Sequence, residues 1–99
     1  MTEEPNNKNK ATKSDLTKRP TVHVKVYSPY KTYFDEDVYS ISAINATGPF
    51  DVLPMHHNFM TLLNPCELTI DKDGGMTRIR IARGIMHVKK DKVIVFLDV

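Results

Sequence analysis

The stretch Thr21-Val22-His23-Val24-Lys25-Val26-Tyr27 decides the fold. Its valines recur at every second position, with His23, Lys25 and Tyr27 between them. A period of two places the valines on one side of an extended chain and the other residues opposite, which is the pattern of a half-buried strand and not of a helix. Going outward, Ser28-Pro29 supplies a turn and Lys31 to Phe34 reads as a short returning strand. That strand is expected to end at the acidic run Asp35-Glu36-Asp37, read as a solvated turn. Val38 to Ile44 is β-branched and aromatic enough for a third strand, closed by the turn-favouring cluster Asn45-Ala46-Thr47-Gly48-Pro49. Phe50 to Leu53 follows, ending at Pro54.

The clearest hairpin lies further on. Leu68 and Ile70 alternate with Glu67, Thr69 and Asp71, Asp73-Gly74-Gly75 makes the loop, and Thr77, Ile79 and Ile81 alternate with Arg78 and Arg80. Gly84 interrupts the run, Ile85 to Val88 resumes it, and Lys90-Asp91 turns into Val93 to Leu97, an apolar run suited to a strand covered on both faces. The one helix-tolerant stretch is His57 to Leu63, with room for at most two turns before Pro65. Short strands separated by turn signals predict an all-β chain, an antiparallel sandwich or barrel.

Before Pro20 the sequence changes character. Residues 1–20 contain Met1 and Leu16 as their only large apolar side chains, so burial cannot offset the entropy of ordering them, and a disordered polar tail is expected ahead of a single domain at 21–99. The chain of 99 residues has 14 Lys and Arg against 12 Asp and Glu, a formal charge of +2. All of that excess lies in the tail, because Lys8, Lys10, Lys13, Lys18 and Arg19 outnumber Glu3, Glu4 and Asp15. A neutral folded part argues against a nucleic-acid partner, whose affinity comes largely from phosphate neutralisation.

Chemistry-bearing motifs are few. Neither G-x-x-x-x-G-K-[ST] nor G-x-G-x-x-G occurs, so no phosphate loop is expected. A single cysteine, Cys66, excludes an internal disulfide and fits a reducing compartment; in a small β-domain it reads as an inert core or turn residue. His23, His56, His57 and His87 are the four histidines, and the adjacent pair His56-His57 would point to opposite faces of a strand, which disfavours shared chelation of one metal ion. Arg78, Arg80 and Arg83 stand across from Glu67, Asp71 and Asp73, so cross-strand ion pairing explains them. No catalytic constellation assembles and no cofactor is implied. The sequence has no run of about eighteen apolar residues for a membrane span, and its opening residues lack the apolar core and cleavage site of a secretory leader, so none is expected.

Gly48-Pro49-Phe50-Asp51-Val52-Leu53-Pro54-Met55-His56 resembles the glycine, apolar, apolar-proline, histidine signature of the ATP synthase epsilon subunit family. The flanks agree. His23 to Pro29, Tyr33-Phe34 and Val38 to Ala43 resemble the opening strands of that subunit's N-terminal domain. Leu62-Leu63-Asn64-Pro65, Ile81 to Val88 and Lys92 to Asp98 are similar to its later corner and strands. Four positions depart from the pattern: Asp51, Met55, Cys66 and Arg83 stand where the family has glycine.

The resemblance implies a flattened β-sandwich of about ten short strands, without catalysis, metal or cofactor. It would act as a rotor subunit in the central stalk of a proton-translocating ATP synthase, binding the gamma subunit and the loops of the proteolipid ring. Ala46, Thr47, Gly48, Pro49, Phe50 and Asp51 are the implied ring-facing residues. Tyr27, Ser28, Leu53, Pro54, Met55, His56, His57 and the segment from Phe59 to Leu63 are the implied gamma contacts. The location implied is cytoplasmic, peripheral at the inner face of the cell membrane through the complex alone. The family continues into a helical hairpin that restrains ATP hydrolysis, and a chain ending at Val99 is expected to lack that brake. The alternative is a stand-alone epsilon-like adaptor or regulatory module that no longer contacts the ring, favoured by Asp51, Met55 and Arg83. A small enzyme or metal protein built on His56, His57 and Cys66 is a third reading.

Overall fold

The computed structural model describes residues 19–97, and these form nine strands and no helix. They are β1 (Val22–Ser28), β2 (Lys31–Val38), β3 (Ser40–Asn45), β4 (Gly48–Val52), β5 (Phe59–Leu63), β6 (Cys66–Lys72), β7 (Gly75–Ile81), β8 (Gly84–Lys89) and β9 (Lys92–Leu97). A five-stranded sheet in the order β2-β1-β9-β8-β5 packs on a four-stranded sheet in the order β4-β3-β6-β7. The expected all-β sandwich is therefore present. The expected tail lies outside the described residues except at Arg19 and Pro20, and the Arg19 guanidinium sits 3.8 Å from the centroid of the Tyr39 ring.

The alternation of the opening stretch sets the core. Val22, Val24 and Val26 are buried, and they meet Val93 and Val95 of β9, Met86 and Val88 of β8, and Ile41, Leu68 and Ile70 of the other sheet. All strand pairs are antiparallel except β1 with β9, where Val24 faces Val93 and Val26 faces Val95. Parallel neighbours need a long crossover, and here β2 to β8 supply it. Gly84 marks a close approach: a Cβ there would lie 2.7 Å from the carbonyl oxygen of Phe96.

Two local expectations are corrected. The acidic run Asp35-Glu36-Asp37 is not a turn, since β2 continues through it to Val38, which ends β2 and does not open the third strand. Phe34 and Val38 are buried while the carboxylates between them reach basic side chains: Asp35 and Asp37 meet His23 of β1, and Glu36 meets Lys72 of the opposite sheet at 2.7 Å. The stretch His57 to Leu63 forms no helical turn; its second part is edge strand β5, paired with β8 from Phe59–Val88 to Leu63–Gly84. Phe59, Thr61 and Leu63 point inward and Met60 and Leu62 outward. Apolar residues on both faces conceal the period of two.

Candidate functional site

Two surfaces emerge. The first is the margin where edge strands β4 and β5 face each other across the sandwich. At one end the turn Asn45-Ala46-Thr47-Gly48 is held by Asn45, whose Oδ1 accepts from the Thr47 backbone N–H (3.0 Å) and hydroxyl (2.7 Å) while its Nδ2 donates to Thr61 Oγ1 (3.1 Å). The Asn64 N–H donates to the Ile44 carbonyl (2.9 Å), which ties the same end to the β5–β6 corner. An asparagine closing its own backbone in this way is a turn device with a defined shape. Pro49 is tolerated because β4 is an edge strand.

Midway, the rings of Phe50 and Phe59 meet edge to face at 6.1 Å, and His56 leans on Phe59 at 5.2 Å. The far end is the loop 53–58. Met55 has φ 67°, and among the described residues it is the one non-glycine with a positive φ. Its N–H donates to the Lys90 carbonyl (3.1 Å), and the His56 Nδ1–H donates to the His57 carbonyl (3.1 Å). Met55 thus adopts a conformation that glycine takes more readily, whereas Asp51, Cys66 and Arg83 do not. Leu53 and Met55 stand 57% and 65% exposed.

The second surface is the outer face of the five-stranded sheet. Pairing brings Leu62, Ile85, Phe96 and Tyr27 into one row across four strands, with Met60, His87, Ile94 and Lys25 in the next. Tyr27 and Phe96 pack edge to face at 5.2 Å. Leu62 is 70% exposed, Met60 63% and Ile85 41%. A groove of about 580 Å³ opens beside the row, bounded by Leu62, Pro65, Ile85 and Phe96. β9 was expected to be covered on both faces, yet only Val93, Val95 and Leu97 are buried, and Ile94 and Phe96 look outward half-exposed.

The implied ring-facing residues stay together: Ala46, Thr47, Pro49 and Asp51 are exposed, and Gly48 and Phe50 half-buried, along the turn and β4. Asp51 accepts from the Ser42 hydroxyl at 2.6 Å. The implied gamma contacts divide. Tyr27 lies on the apolar row; Leu53, Pro54, Met55, His56 and His57 form the loop at the opposite end of β4 from Ala46 and Thr47; Phe59 points inward at the margin. Ser28 and Leu63 are 4% and 3% exposed and offer no surface, because strand parity turns both toward the core. Met60 and Leu62 fall within the implied segment Phe59 to Leu63, whereas Ile85, Ile94 and Phe96 were absent from the sequence-derived site. The signal for them was available: apolar residues at the positions between the core residues of β8 and β9.

Among the described residues no three His, Cys, Asp or Glu side chains are grouped to hold a metal ion. Cys66 is buried. Among those residues no helix is long and apolar enough to cross a membrane.

Comparisons with known proteins agree with this picture. The profile of the family "ATP synthase, Delta/Epsilon chain, beta-sandwich domain" matches residues 21–99. The ATP synthase epsilon chains of Geotalea daltonii and Geobacter sulfurreducens are each 39% identical over 75 residues, which cover 76% of this chain and 54% of theirs. That of Vesicomyosocius okutanii is 32% identical over 78 residues. The chain thus spans about half the length of the curated relatives it matches. Among solved structures, a chain in the Tetrahymena thermophila mitochondrial ATP synthase central stalk and c-ring aligns with a TM-score of 0.68 at 18% identity, covering 82% of this chain and 66% of that one. A chain in the Euglena gracilis mitochondrial ATP synthase aligns at 0.73 and 19% identity, covering 96% and 59%. At such identities these two matches speak for the fold.

Proposed function

The chain belongs to the ATP synthase delta/epsilon chain family, through its β-sandwich domain, and from that premise we propose that it is a non-catalytic component of the central stalk of a proton-translocating ATP synthase. It binds the gamma subunit and rests on the loops of the proteolipid ring, so that proton flow through the ring is coupled to rotation of the stalk. It reaches the inner face of the cell membrane only through that complex.

The observation that carries this reading is the exposed apolar row Leu62, Ile85, Phe96 and Tyr27 on the outside of a sheet whose inside is already a complete core. A stalk contact has to resist sliding, which calls for on the order of 800 Å² buried per partner around a few apolar anchors. The row and its neighbours Met60 and Ile94 supply the anchors for gamma. Leu53, Met55, His56 and His57 extend the same contact from the adjoining loop. The ring loops meet the other end of β4, where Asn45 holds Ala46, Thr47 and Gly48 in one shape and Pro49 and Asp51 continue the exposed edge. A rigid turn loses little entropy on docking.

The test is calorimetric titration of the chain into the gamma subunit from the same source. One-to-one binding that weakens at least about tenfold in Leu62→Asp, a loss of about 1.4 kcal/mol, is the expected result. A folded chain that binds no gamma overturns the stalk reading and leaves the stand-alone adaptor.

A further inference from the structure

His23 stands on the outer side of β1 between two carboxylates of edge strand β2. Its Nδ1 lies 2.7 Å from Asp37 Oδ1 and its Nε2 2.5 Å from Asp35 Oδ1. An ionised carboxylate only accepts, so filling both contacts requires a hydrogen on each ring nitrogen, and an imidazole with two is an imidazolium. The neutral ring donates from one nitrogen only. Its other nitrogen would then face a carboxylate oxygen lone pair to lone pair.

The surroundings set the balance. From β2 come Asp35 and Asp37; from β1 comes Lys25, two residues along on the same face; from β9 comes Lys92, paired with His23, preceded by Asp91; and from β8 comes Lys89, paired with Lys92. Partial burial opposes protonation and the carboxylates favour it. The hydrogen bond to Asp37, followed by that to Asp35, prevails and raises the ring above its ordinary value of 6.5. The third carboxylate, Glu36, is held from the opposite sheet by Lys72. β2 is the outermost strand of its sheet, so among the described residues its hold on that sheet runs through β1 alone.

We propose that His23 is a proton-operated clamp: as an imidazolium it ties β2 to β1 through Asp35 and Asp37, and on losing a proton it releases one carboxylate and loosens that edge of the sandwich. The sense is fixed by the chemistry. A histidine favoured as a cation in the folded state contributes stability that is complete below pH 6.5 and is lost as pH rises through the higher folded value. The His23 side chain is 38% exposed, so solvent screens the pair and the effect is local to β2.

Carbon-detected NMR titration of the His23 ring, with amide hydrogen exchange corrected for its intrinsic pH dependence, tests the clamp in the full 99-residue chain. The ring midpoint is expected above 6.5. As pH passes it, protection of the β2 amides from Thr32 to Asp37 falls by up to about tenfold for each unit that the midpoint lies above that of the unfolded chain, while protection of Met86 and Val88 in β8 holds. His23→Gln removes the pH step; Asp35→Asn and Asp37→Asn each lower the ring midpoint. A midpoint at or below 6.5, no step in β2, or a step of the same size in His23→Gln overturns the proposal. Should His23→Gln fail to fold, an unchanged midpoint in both Asn variants overturns it. None of these readouts involves a partner, so the clamp and the stalk reading stand or fall separately.

Discussion

The two sheets bury the same kind of residue inward and present different chemistry outward. On the four-stranded sheet the outward positions carry Ser42, Asp51, Glu67, Thr69, Asp71, Arg78 and Arg80, a mostly polar surface on which Ile44 and Met76 are the exposed apolar exceptions. On the five-stranded sheet the equivalent positions carry an apolar patch of Leu62, Ile85, Phe96, Tyr27, Met60 and Ile94, bordered by the charged or polar His23, Lys25, Asp35, Asp37, His87, Lys89 and Lys92. Burial in the core explains neither set, since both lie outside it. Antiparallel sheets of sandwiches commonly alternate apolar inside with polar outside, and the four-stranded sheet largely follows that rule while the other departs from it along the row from Leu62 to Tyr27. A contiguous apolar surface that the chain leaves uncovered marks where another molecule sits.

The sharpest way to break the comparison is to charge each face in turn. Leu62→Asp with Ile85→Asp is expected to abolish measurable binding of the gamma subunit, since truncating central anchors costs about 2 kcal/mol or more each. Thr69→Asp on the polar face is expected to change affinity by less than about twofold, and surface changes of that kind move stability by within about 0.5 kcal/mol. Calorimetry on folded variants decides. Equal effects from the two faces would mean that the apolar row is not a seat.

The shape of the row depends on the backbone beneath it. Gly84 lets β8 approach β9 where Ile85 pairs with Phe96, and a methyl at residue 84 would press on the Phe96 carbonyl oxygen at 2.7 Å. Gly84→Ala is therefore expected to lower stability by about 1–3 kcal/mol, as overpacking of a fixed site does. Chemical denaturation measures it. Loss of gamma affinity beyond that of a control variant of equal stability would tie the row's geometry, and not merely its composition, to binding.

The course of the chain was legible wherever one face is apolar and the other polar. Val22 to Tyr27 and the hairpin from Leu68 to Ile81 have that pattern, and their strands lie where it puts them. It failed where both faces are apolar or where a polar face is satisfied by distant groups. Phe59, Met60, Leu62 and Leu63 imitate helical spacing because their outward members are apolar, and only the register with β8 resolves them. Asp35-Glu36-Asp37 imitates a turn because its basic partners, His23 and Lys72, are 12 to 36 residues away in the chain. The resemblance alone marked candidate residues along β4, the loop 53–58, β5 and Tyr27, and the structure shows which of these stand at the surface. Tyr27 and Leu62 of the apolar row were among those candidates, but Ile85 and Phe96 and the row itself were not, because it exists only once β5, β8, β9 and β1 are placed side by side.

Met55 gives a smaller and opposite effect. Its φ of 67° costs an L-residue about 1–2 kcal/mol, and glycine would remove that strain while adding back about 0.5–1 kcal/mol of unfolded-state entropy. Met55→Gly should raise stability by about 0.5–1 kcal/mol. If Met55 anchors the partner, the same variant binds gamma more weakly although it melts later. An exposed strained residue whose removal improves both properties would serve no contact.

The smallest effect is expected on the polar face itself. Arg78 and Glu67 approach to 3.8 Å with both side chains about half exposed, and they meet diagonally, since Arg80 and not Arg78 is paired with Glu67 in register. A long, solvated, off-register pair gains little Coulomb energy and gives up side-chain freedom to form, so Glu67→Gln should change stability by no more than about 0.5 kcal/mol. Half-molar salt should move the parent chain no more than that variant, because solvated charges are screened within a few ångströms at that ionic strength. A loss well above that figure on denaturation would mean that the polar face is knit by its charges into the fold. It would then carry structure where the apolar face carries contact, and the difference between the two sheets would be one of internal support as well as of partners.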